Sequence, residues 1–166
     1  MPSSEEAFVA GREETAPFLN DVLEGDSSYS SFASTIVVCN VFKMVSKHNL
    51  RSKKASGRKD LANGKFWSQH RDLDNTLSSL FMFLPQNLQL LHSHRNHYAV
   101  HANLGFHATV ISLHHTALAV IDQDELGAST KTPSLCRLRT AAEEIANIIK
   151  ISAHTMAKFV SHSLCL

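Results

Sequence analysis

From Asn96 to Ile121 the chain carries no Asp, Glu, Lys or Arg, and a run that long without a formal charge has few structural outlets. By residue count it is long enough to span a bilayer. His97, His101, His107, His114 and His115, with Asn103, Thr109 and Ser112, are costly in hydrocarbon, so the reading that fits is a helix buried among other helices. Val100, Leu104, His107, Ile111, His114, Leu118 and Ile121 step by four and three along it, a heptad-like seam. A second row, Val110, Leu113, Ala117 and Val120, makes the segment apolar almost all round, as befits a helix with neighbours on several sides. The spacing predicts the central helix of the fold.

The flanking segments read as further helices. Phe32, Ile36, Cys39 and Phe42 recur at three or four, with Val37, Val38, Val41, Met44 and Val45 widening the stripe. This predicts a helix over residues 32–44, although the β-branched run at 35–38 also suits a strand. Cys39, among apolar neighbours, is expected to behave as a small buried hydrophobe. Trp67, His70, Leu73, Leu77, Leu80 and Leu84 share one face of a second helix, opposite Ser68, Asp72, Asn75 and Ser79. Asn63 is its expected N-cap, and Pro85 ends it. Later, Thr132 can cap and Pro133 can occupy the first turn of a helix bearing Leu135, Leu138, Ala142, Ile145, Ile149 and Ser152. A last helix is expected to begin near Ala157. The fold class is all-α, an irregular multi-helix array.

Charge divides the 166 residues unevenly, although the whole chain is nearly neutral at +1. Residues 1–30 hold Glu5, Glu6, Glu13, Glu14, Asp21, Glu24 and Asp26 against a single Arg12. With their Gly, Pro and Ser content they read as a mostly disordered segment with a short helix between Pro17 and Glu24. Residues 31–71 reverse the sign, with nine Lys and Arg against Asp60. The basic density peaks between Lys47 and Lys59, which reads as an exposed loop joining two helices. Lys53, Lys54, Arg58 and Lys59 within it form a candidate nuclear-import patch, since exposed cations pair with acidic receptor surfaces. The bland alternative is a solvated loop.

No signal-peptide pattern opens the chain, because Glu5 and Glu6 stand where a basic start and an apolar run are needed. Three separated cysteines, Cys39, Cys136 and Cys165, make no disulfide framework and no CxxC motif, which points to a reducing compartment. His92, His94, His97 and His101 form an HxHxxHxxxH series able to converge on one zinc ion. With no matching Cys, Asp or Glu spaced nearby, they read instead as loop and helix-end histidines. His107 and His114 read as core histidines hydrogen-bonded across a helix interface. His70 and Asp74 read as an i,i+4 surface pair, without a GxSxG nucleophile to serve. Glu143 and Glu144 read as solvated. The six glycines form no phosphate-binding motif. No catalytic, metal-binding or cofactor-binding residue is nominated, and the chain reads as non-enzymatic.

Several phrases occur in a recognisable order: Ser28-Tyr-Ser-Ser-Phe-Ala33, Val37-Val-Cys-Asn-Val-Phe42, Gly64-Lys-Phe-Trp-Ser-Gln-His-Arg-Asp-Leu-Asp-Asn75, Leu77-Ser-Ser-Leu-Phe-Met-Phe-Leu-Pro85, Ala99-Val-His-Ala-Asn-Leu104, His107-Ala-Thr-Val-Ile-Ser-Leu-His-His115 and Ala141-Ala-Glu-Glu-Ile-Ala-Asn147. Together they resemble the middle homology, or regulatory, domain of fungal zinc-cluster transcription factors, over roughly residues 17–160. The resemblance implies an all-α array in the nucleus that regulates transcription, with a further protein, or the remaining helices of a longer factor, as partner in a homo- or heterodimer. Such factors bind DNA through a six-cysteine cluster, which three cysteines cannot build, so specific DNA binding by this chain is not expected. The family domain extends beyond both ends, so residues 31–166 are expected to be a truncated fragment of it. Two other readings stay open: a histidine-based metal protein or hydrolase, and a helical interaction module unrelated to transcription.

Overall fold

A computed structural model describes residues 1–24, 29–54, 64–90, 96–123 and 128–163, with side chains omitted at 53, 54, 128 and 154–163. Among the described residues there is no strand. Six helices follow in order: α1 (Glu5–Val9), α2 (Leu19–Glu24), α3 (Ser31–Lys54), α4 (Lys65–Met82), α5 (His97–Gln123) and α6 (Ala128–Ser163), with a 3₁₀ turn at Gln86–Leu88. The all-α reading holds, and α5 is central, packing most extensively against α6 and α3. It is long and apolar enough to cross a membrane by length and composition, but here its deep face is covered by other helices.

Local chemistry explains the starts of several helices. Ser4 Oγ accepts from Ala7 N–H at 3.2 Å, Ser30 Oγ from Ala33 N–H at 3.1 Å, and Asn96 Oδ1 from Tyr98 N–H at 3.0 Å; each satisfies a first-turn donor that the helix cannot. Gly64 enters α4 with φ +77, a left-handed conformation that glycine adopts at least cost. The expected cap Asn63 lies outside the described residues.

The acidic segment expected to be mostly disordered carries α1 as well as α2. The Met1 ammonium donates to Pro17 O at 3.0 Å, and Ser4 N–H donates to Glu14 Oε2 at 2.7 Å. Val22 is buried in the main core, so apolar burial anchors α2 despite the surrounding charge.

Helices appear where periodicity places them, but three of their four long faces differ from expectation. On α3 the buried row is Ala33, Val37, Val41 and Val45, while Phe32, Ile36, Phe42 and Cys39 are exposed. Both rows are apolar, and small β-branched residues win the inner position because α5 approaches closely there. A Cβ built on Gly105 would stand 2.4 Å from Val38 Cγ1. On α5 the expected second row, Val110, Leu113, Ala117 and Val120, is the deep one, continued by Ala99 and Phe106; of the expected seam His114 and Ile121 are buried, while Val100, Leu104, His107, Ile111 and Leu118 sit half-buried on the flank. On α6 the buried positions are Ser134, Ala141 and Ile148, with Leu135 and Ile149 exposed. Only α4 buries the predicted face, with His70, Leu73, Leu77 and Leu80 inside.

Boundaries also move. Helix α3 continues to Lys54, through much of the basic stretch read as loop. Helix α6 starts at Ala128, so Pro133 lies inside it; Lys131 in the added turn pairs with Asp122 at the end of α5. No separate helix begins near Ala157, because α6 continues through that position to Ser163.

The Gly105 contact generates a test. Ala is favoured over Gly inside a helix by about 1 kcal/mol, but Val38 has little rotamer freedom with which to retreat. Gly105→Ala is expected to lower unfolding free energy by about 1–3 kcal/mol as an overpacking change, measured by denaturant titration with helical circular dichroism as the signal. A variant as stable as the parent would contradict the close approach.

Candidate functional site: a polar node between three helices

Asp74 stands on α4 one residue beyond the buried Leu73, which turns its carboxylate toward α5 and α6. Its Oδ1 accepts from Arg137 Nε at 3.2 Å and is paired with Arg137 Nη2. His114 Nε2 lies 3.3 Å from the same oxygen. Burial pushes the Asp74 carboxyl up, but the bonds from His114 and Arg137 outweigh it and hold its pKa at about 2. An ionised carboxylate only accepts, so His114 Nε2 carries the proton. In the neutral ring Nδ1 is then the acceptor, facing the Ser134 hydroxyl at 3.3 Å. Arg137 Nη2 also donates to Ser78 Oγ at 2.9 Å, and that hydroxyl donates to Asp74 O at 2.8 Å.

A histidine row adjoins the node. The His70 ring meets His114 edge to face, centroids 5.0 Å apart, and lies 6.1 Å from His48. His48 stacks on Phe66 at 4.6 Å. Burial, assisted by the neighbouring His114 and His48 and opposed by Asp74, pushes His70 down to about 4. Burial also lowers His48, and it lowers His107, whose ring lies 4.7 Å from Phe81. Three imidazoles therefore line the way from the α3–α4 boundary to Asp74.

The order Ser134, His114, Asp74 is that of a hydrolytic relay, here buried and tied to an arginine. A nucleophile must meet substrate, whereas Ser134 is 7% exposed. Arg137 further neutralises the carboxylate. Three clefts among the described residues lie elsewhere: one of about 470 Å³ between α3 and α5, including Asn49, Ser112, His115 and Thr116, one of about 420 Å³ including Glu5, Glu6, Phe32 and Tyr98, and one of about 260 Å³ including Lys47, His48, Arg51 and Asp72. None of them is lined by Ser134.

The predicted sites fare differently. His114 is the cross-helix core histidine expected of it, whereas Asp74 is partnered by His114 and Arg137 rather than forming a surface pair with His70. Glu143 is exposed and pairs with Arg139 at 3.1 Å, and Glu144 is exposed. His97 and His101 are exposed on the first turns of α5, while His92 and His94 lie outside the described residues. Among the described residues no cluster of three or more His, Cys, Asp or Glu is placed to hold a metal. Lys53 and Lys54 end α3 with side chains not described, and Arg58 and Lys59 lie outside the described residues. Sequence reading missed Arg137, Ser134 and Ser78; the one available signal was a cation on the otherwise apolar side of α6.

Comparison with known protein families, with curated proteins and with solved structures finds no match.

The node makes stability pH-dependent with a definite sign. The folded pKa of His70 lies near 4 against 6.5, so between those values the unfolded chain binds a proton that the folded chain refuses. Asp74 behaves likewise between 3.8 and about 2. Both contributions are present at pH 7 and are lost on acidification, each on the order of 1–3 kcal/mol. Urea titrations at pH 7, 5 and 3 should show falling stability, and His70→Gln should flatten the upper part of the fall. Constant stability from pH 7 to 4 would contradict the assignment. Separately, Ser134→Ala should cost about 1 kcal/mol, the net value of one hydrogen bond.

Proposed function

We propose that the chain is a non-enzymatic helical module acting in transcriptional regulation in the nucleus, of the kind represented by the regulatory domain of fungal zinc-cluster transcription factors. The observation that carries this reading is the convergence of the phrases on which the resemblance rests. His70 and Asp74 come from the Gly64–Asn75 phrase and His114 from the His107–His115 phrase, and they meet at one node although 40 residues separate Asp74 from His114. Phrases scattered along the chain thus build a single packing unit, which supports a shared architecture rather than a chance likeness of short words. The burial of Ser134 favours regulation over hydrolysis.

In this reading the module works by contact with other proteins, takes no cofactor and reads no DNA directly. Lys53, Lys54, Arg58 and Lys59 supply nuclear import. The full chain, fused to a fluorescent carrier too large to diffuse through the nuclear pore, should concentrate in the nucleus of a fungal cell. Changing those four residues to Ala should return the carrier to the distribution it shows alone. Tethered to a DNA-binding domain at a reporter promoter, the chain should change reporter output. Exclusion from the nucleus together with an unchanged reporter would overturn the proposal.

A further inference from the structure

The outward side of α3 lies opposite its valine row and carries two chemistries. Its first half presents Ile36 and Phe32, the latter edge to face with Tyr98 and beside this chain's own Glu5 and Glu6, with Phe42 on one flank; its second half presents Lys43 and Lys47, with Leu50 58% exposed beside them and Arg51 on the opposite flank. Phe32, Ile36, Lys43, Lys47 and Leu50 follow helical spacing, and at 1.5 Å per residue the strip from Phe32 to Leu50 is about 27 Å long. Lys43, Lys47 and Arg51 take part in no ion pair among the described residues.

The N-terminal segment presents the complementary chemistry. Phe8 is 81% and Phe18 78% exposed, Val9 is next to Phe8 in the chain, and Glu5, Glu6, Glu13 and Glu24 of the same segment are exposed. These side chains are not exposed because the segment dangles. Ala7 and Val22 are buried, the Met1 ammonium is bonded to Pro17 O, and Ser30 Oγ donates to Ser3 O at 3.5 Å. The aromatic groups are held outward on an anchored backbone, and displaying them to water costs apolar burial.

We propose that the α3 strip is a docking surface for a second copy of this chain, whose acidic, aromatic N-terminal segment lies along it. Phe8, Val9 and Phe18 of one copy meet Phe32, Ile36 and Leu50 of the other, and Glu6, Glu13 and Glu24 face Lys43, Lys47 and, at the edge of the strip, Arg51. In a two-copy assembly each chain gives one segment and receives one, which doubles the area toward the roughly 1,000 Å² that a specific interface needs. Opposite charges set the register, and salt weakens the contact. This contact is independent of the transcriptional reading, which can stand or fall without it.

Sedimentation velocity on the full chain, from low micromolar to about 100 μM, a range in which weak dimers form, provides the test. The expected result is reversible association that weakens as salt rises. Reversing α3 (Lys43→Glu, Lys47→Glu, Arg51→Glu) should give a monomer. Reversing the segment (Glu6→Lys, Glu13→Lys, Glu24→Lys) should do the same, while mixing the two reversed proteins should restore the dimer. All six positions are exposed, and circular dichroism checks that each variant stays helical. A parent that remains monomeric, a dimer indifferent to salt and to both reversals, or reversed proteins that fail to pair when mixed would each overturn the proposal.

Discussion

One carboxylate ties three of the long helices together. Asp74 is held ionised in a half-buried position, and a charge there is tolerated only where partners replace water. Arg137 from α6 and His114 from α5 are those partners, so both helices must present a polar residue to the same point on α4. That demand sets the rotation of α6: Ser134, Arg137 and Ala141 turn inward, and Leu135 and Ile149 turn outward although they are more apolar. The close passage of α3 over Gly105 sets the separation of α3 from α5. A polar point and a steric point together define the arrangement of the four long helices.

These two constraints also explain what could be read from the residues in advance. Helix α4 was legible because its polar and apolar sides differ sharply, Leu73, Leu77 and Leu80 against Ser68, Asp72 and Asn75. Helices α3 and α5 are apolar on more than one side, so periodicity locates a helix but leaves its rotation open. Rotation was decided by residue size at the contact, with Val37 and Val41 preferred to Ile36 and Phe42. Helix α6 was misread by one position because counting apolar residues ignores an arginine that must travel to a carboxylate. The node was half legible: Asp74, His70 and His114 each drew notice, but their convergence depends on how α4, α5 and α6 cross, which local spacing does not encode. Its arginine and serines carried no motif.

The proposed regulatory role follows from the balance between interior and surface. The interior is filled by packing and by a node whose serine is buried, and the proposed role rests on the surface. An apolar strip ending in cations that form no ion pair among the described residues, and an acidic segment displaying aromatics, are the surface features behind the proposed association. The exposed aromatics are held out by a segment anchored on the core through Val22 and through the bonds of Met1 to Pro17 O and of Ser30 to Ser3 O.

The claim on which the account turns is that Asp74 and Arg137 hold α4 and α6 together as a coupled pair. A double-mutant cycle on unfolding free energy, using Asp74→Asn, Arg137→Met and the two combined, measures that coupling directly. The account predicts an interaction energy of about 1–3 kcal/mol, each single change costing more than its share of the double. Effects that add to within about 0.5 kcal/mol would mean that the two residues act independently, and would contradict the polar node as the feature that orients the helices.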